Sequence, residues 1–136
     1  MKIALFLLLL LHSGWPAQAE DYVVIANPSL GGVGIEARDL RQVFLGSKSE
    51  LEGQPVQPVF ARSGTAHQQF ASRCLGKSEL GLNNYFRMLV FTGKGVLPKS
   101  FSTPSEIVDY VARTPGAIGY VPPPTPLSGV IALRRE

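Results

Sequence analysis

The sequence predicts an α/β domain: a small mixed sheet with about four helices on its faces. Three observations carry this. Short apolar runs alternate with longer stretches whose apolar residues recur at helical spacing. Cap and stop residues bracket those longer stretches. Gly (14) and Pro (11) are abundant among the 136 residues and mark frequent turns, with no internal repeat.

Tyr22–Ala26 is an apolar run closed by Asn27-Pro28, which predicts a buried first strand. Ser29–Gly34, with three glycines, is a loop. Ala37, Leu40, Val43 and Phe44 lie on one helical face, so Glu36–Leu45 is a helix, terminated by Gly46. Ser47–Gln54 is polar and reads as a turn region. Val56–Ala61 is a second strand, and Pro58 within it predicts an edge position or a short ladder.

A second helix starts at Ser63 or Gly64 and runs to Leu75, closed by Gly76, with Ala66, Phe70, Ala71 and Cys74 inward. Ser78 caps a third, Glu79–Phe91, striped by Leu82, Tyr85, Phe86, Leu89 and Val90; Tyr85, Phe86 and Phe91 read as helix core. Thr92–Lys99 is a glycine-rich basic loop, read as an ordinary flexible turn. Thr103-Pro104-Ser105-Glu106 is the clearest local signal. Threonine caps, proline takes the first helical position and glutamate completes a capping box, giving a fourth helix over Pro104–Arg113. Pro115-Gly116 turns into a strand at Ala117–Val121. Pro122–Pro126 is a rigid loop, and Val130–Leu133 a last strand.

Composition limits the function. A formal charge of +3 and 17% charged residues exclude a disordered chain and a strongly basic nucleic-acid binder. The single Cys74 excludes an internal disulfide framework and a multi-cysteine metal site, and it reads as a buried small side chain. Lys2, the apolar run Ile3–Leu11, the breakers Ser13, Gly14 and Pro16, and the small-x-small triplet Ala17-Gln18-Ala19 read as a cleaved secretory signal over residues 1–19. The run is well short of the roughly 20 residues of a membrane span. The expected product is one domain over residues 20–136, periplasmic or secreted, without a membrane-spanning segment after cleavage.

The stretch Val59–Phe70 holds the candidate chemistry. A strand ends, Ser63-Gly64-Thr65 turns, and a helix begins. A helix start offers free amides and the positive end of the macrodipole. Gly64 permits close approach, Ser63 and Thr65 add hydroxyls, and Arg62 adds a guanidinium. Together Arg62, Ser63, Gly64 and Thr65 make a candidate oxyanion site. The same pattern also suits a plain helix start, with Ser63 as N-cap and Arg62 a solvated strand end.

Competing motifs fail. Gly76-Lys77-Ser78 lacks the glycine that a phosphate-binding P-loop needs five residues earlier, where Ala71 stands, and it follows a helix instead of a strand. Ser63 and His67 are four apart, but there is no Gly-x-Ser-x-Gly elbow and no placed orienting acid, so the chain does not read as an enzyme. His67 reads as a surface or edge residue. No metal or cofactor is implied.

Ile35–Lys48, containing Phe44-Leu45-Gly46, resembles a segment of phosphate-type periplasmic substrate-binding proteins. Arg62-Ser63-Gly64-Thr65 with Phe70 is similar to that family's phosphate loop. Phe91-Thr92-Gly93-Lys94-Gly95 and Pro115–Val121 resemble further segments of its small members. The resemblance implies a non-enzymatic lobe of periplasmic-binding-protein type, holding phosphate or a related oxyanion at Arg62–Thr65 and partnering an ABC permease. The chain has room for one lobe, and Arg62 directly precedes Ser63 without the family's intervening Asp. Both features predict weak binding, on the order of millimolar. The alternative is an interaction module on the same fold that has lost its ligand and partners a membrane sensor, a transporter or a secretion component.

Overall fold

A computed structural model of the chain describes residues 21–133. The expected leader over residues 1–19 lies outside them. Among the described residues, no helix is long and apolar enough to cross a membrane.

Strands β1 (Val23–Ala26), β4 (Gln57–Ala61), β5 (Lys99–Phe101), β6 (Ala117–Val121) and β7 (Ile131–Ala132) form one sheet in the order β5-β4-β6-β1-β7. A separate hairpin joins β2 (Glu50–Leu51) to β3 (Gln54–Pro55). β4 runs parallel to both β5 and β6, whereas β1 is antiparallel to β6 and β7. Helices α1 (Ala37–Phe44), α2 (Thr65–Arg73), α3 (Glu79–Phe91) and α4 (Pro104–Arg113) complete the mixed α/β lobe that the sequence predicts.

Strand alternation divides the core into two layers. Ile25, Val59, Ala117 and Val121 pack with Ile107, Val108 and Val111 of α4. Phe60, Ile118 and Tyr120 point the other way, into a larger cluster with Phe44 of α1, Phe70 of α2 and Phe86 of α3. Gly119 fits this division. A Cβ there would lie 2.9 Å from Ile107 Cγ2 and 3.0 Å from Val59 Cγ2, so the missing side chain lets α4 close on the sheet.

Several expectations change. β4 is not an edge strand. Pro58 is tolerated inside the sheet because the two ladders are staggered. The Gln57 N–H bonds to Gly116 O on the β6 side, so position 58 faces β5, whose register begins only at Val59. β5 starts at Lys99, the last residue of the segment read as a loop, and continues through Ser100 and Phe101; at three residues it is too short to show a period. The polar turn region contains the β2–β3 hairpin, whose two-residue turn, Glu52 and Gly53, has positive φ at both positions, 49° and 78°.

Phe91 is not core. It is 85% exposed, as five positions beyond buried Phe86 turn a helical residue by roughly 140° to the opposite face. Val90 is also exposed, whereas Leu82 and Phe86 are buried. Cys74 is half-buried against the larger cluster, and desolvation pushes its thiol up to about 11 despite Arg41 nearby.

Candidate functional site

Three parallel strands, β5, β4 and β6, share one carboxyl edge, the usual ligand edge of open α/β sheets. At that edge β4 passes through Arg62, Ser63 and Gly64 into α2. All four residues from Arg62 to Thr65 are exposed. Gly64 is the N-cap, with φ 105° and ψ 168°. Its backbone requires glycine although a Cβ would meet nothing within 4 Å. Ser63 is therefore not the capping residue, and no side chain caps the first turn of α2. The other helix start on this edge is closed by its own residues. Thr103 Oγ1 accepts from Glu106 N–H at 3.3 Å and donates to the Glu106 carboxylate at 3.0 Å.

The Arg62 side chain leans along β5. Its Nη1 donates to Ser102 Oγ at 2.9 Å, and its backbone N–H bonds to Phe101 O at 3.0 Å. The chain thus brings Ser63, Gly64 and Thr65 into one turn with open amides, and holds the guanidinium to one side of it.

Behind this turn, α2, α3, the end of β4 and the approach to β5 enclose a cavity of about 570 Å³. Arg62, His67, Phe86 and Arg87 are among its lining residues; Ser63, Gly64 and Thr65 are not. His67, expected at the surface, is only 5% exposed. The missed signal is its spacing, three and four positions before the buried Phe70 and Ala71. Its Nδ1 bonds the Tyr120 hydroxyl, which also accepts from Ala61 N–H at 3.1 Å. The pattern is fully satisfied when Tyr120 donates to Nδ1, which leaves the His67 proton on Nε2. Desolvation lowers the His67 pKa from its ordinary value near 6.5, against a smaller opposing pull from Glu79, so the ring is neutral. Burial likewise pushes the Tyr120 pKa up.

Among the described residues, no group of three His, Cys, Asp or Glu side chains is placed to hold a metal.

No protein-family model matches the chain, and no curated protein matches it in sequence. Several solved structures share its fold, and two of them illustrate the likeness. One is an ABC-type phosphate transport receptor from Vibrio cholerae, with a TM-score of 0.62 and 10% identity over 85% of this chain and 46% of that one. The other is PstS from Borrelia burgdorferi, with a TM-score of 0.53 and 12% identity over 74% of this chain and 40% of that one. The chain thus spans less than half the length of either structure. At these identities the likeness is one of fold.

Proposed function

We propose that this chain is an exported, non-enzymatic solute-binding lobe that holds phosphate or a similar oxyanion at Ser63, Gly64 and Thr65, with Arg62 beside them, and works with an ABC permease. The observation that supports this most is the uncapped start of α2 at the carboxyl edge of parallel β4. Its first turn has no side-chain cap, hydroxyl-bearing Ser63 and Thr65 flank Gly64 in the chain, and the positive helix end favours a dianion. A fold shared with a phosphate transport receptor adds to it.

The binding is weak in this reading. All four residues are exposed, so one side of the anion stays in water. A few charge-assisted hydrogen bonds then net about 4 kcal/mol after association costs, a millimolar affinity. Tight capture requires a second surface supplied by another chain.

The test is a phosphate and sulfate titration followed by amide NMR. The expected result is saturable shifts confined to residues 62–67, reduced about tenfold in affinity by Thr65→Ala. Absence of such shifts at tens of millimolar phosphate overturns the reading. The second reading, an interaction module without a ligand, then takes its place. What favours it is the apolar surface left exposed at Phe91, Val96 and Leu97.

A further inference from the structure

The cavity behind the Ser63–Thr65 turn has its own chemistry. Its walls are mainly apolar, and several of them remain wet: Phe91 is 85% exposed, Leu97 68% and Val90 44%. Large apolar residues gathered around one hollow mark a surface that is completed by something else. The charged groups in the lining are all cationic. Arg62 and Arg87 face the cavity, and no carboxylate among the described residues lines it. Arg62 is committed to Ser102. Arg87 is exposed and makes no ion pair among the described residues. His67 adds an N–H at Nε2, since its Nδ1 is taken up by Tyr120.

We propose that this cavity binds a small amphipathic anion, a carboxylate carrying an apolar acyl or aryl body, with the carboxylate at Arg87 and the body against Leu82, Phe86, Val90, Phe91 and Leu97. Charge complementarity selects the head group, because an exposed cation lines an apolar hollow whose lining holds no carboxylate; Glu79, close enough to act on His67, lies outside that lining. The wall chemistry selects the tail. A fully hydrated inorganic oxyanion gains little from phenyl and isobutyl walls, whereas an acyl chain removes them from water. About 570 Å³ lies within the range of small-molecule sites. The proposal goes beyond oxyanion binding at the neighbouring turn and does not require it.

Decanoate below its micellar concentration is the probe, with decanol as the uncharged control. Calorimetry and amide NMR on the full chain are expected to give saturable decanoate binding, with shifts centred on residues 82–91 and 97. Arg87→Gln, at an exposed position, is expected to weaken decanoate about fivefold and leave decanol unchanged. Phe91→Ser, also exposed, is expected to weaken both. Four results overturn the proposal: no saturable decanoate binding; equal effects of Arg87→Gln on acid and alcohol; binding only to anionic phosphatidylglycerol vesicles and not to free decanoate; or a concentration-dependent dimer that covers the same residues and excludes decanoate. Phosphate reads the Ser63–Thr65 turn and decanoate reads the cavity, so either reading can fail alone.

Discussion

Tyr120→Phe isolates the polar contact at the centre of the larger core cluster. The ring of Tyr120 stacks on Phe70 with centroids 3.9 Å apart, and phenylalanine keeps that stack. What disappears is one oxygen with two duties. It accepts from Ala61 N–H on the side of β4 where the β6 ladder has ended, and it donates to His67 Nδ1. An unmet buried polar group costs about 1–3 kcal/mol. Ala61 is only half-buried, so its amide takes the low end, about 1 kcal/mol, and the His67 ring nitrogen adds about as much. The sum, about 2 kcal/mol, corresponds to roughly 8 °C in Tm for a domain of this size. Thermal and urea unfolding followed by circular dichroism read it directly. Combining Tyr120→Phe with His67→Leu supplies a second check. The double variant is expected to lose about 1 kcal/mol less than the two single losses added together, because both remove the same bond. A Tm shift below about 2 °C, or strict additivity, would refute the idea that this hydroxyl satisfies both partners.

Two further outcomes follow from the packing and the charge. Gly116 has φ 79°, and a Cβ there would lie 2.3 Å from Pro55 O, whereas Gly46 has φ 80° with nothing within 4 Å. Gly46→Ala is expected to cost about 1–2 kcal/mol for backbone conformation alone, and Gly116→Ala at least about 2 kcal/mol more; equal urea midpoints would show that the Pro55 contact is harmless. Stability is also expected to fall as pH drops below about 6.5, because the unfolded chain protonates His67 while burial holds the folded ring neutral, so the unfolded state binds more protons. That loss is absent above this pH and is flattened by His67→Leu; an unchanged slope in the variant would assign the acid sensitivity elsewhere.

Local chemistry made most of the fold legible in the sequence. The threonine cap at Thr103, the cap at Ser78 and the terminating glycines at 46 and 76 act within one helical turn, so short-range pattern suffices to find them, although the Glu106 carboxylate takes the Thr103 hydroxyl proton and does not complete the expected capping box. The same holds for the Arg62–Thr65 turn, whose residues are neighbours in the chain. β5, by contrast, exists because Val59–Ala61 offers it a partner about forty positions away. Pro58 sits within a sheet because two ladders are offset, a relation that no local rule encodes.

The sequence by itself determined the α/β class, the four helices to within about two residues at each end and the candidate turn at Arg62–Thr65, but not β5 or the β2–β3 hairpin. Only the tertiary structure decided which way Arg62 leans, that His67 is buried against Tyr120, and that Phe91, Val90 and Leu97 surround a hollow with Arg87. The physical reason is range. Capping and helical periodicity are interactions over three or four residues, whereas burial and cavity shape depend on segments that meet only once the chain has folded.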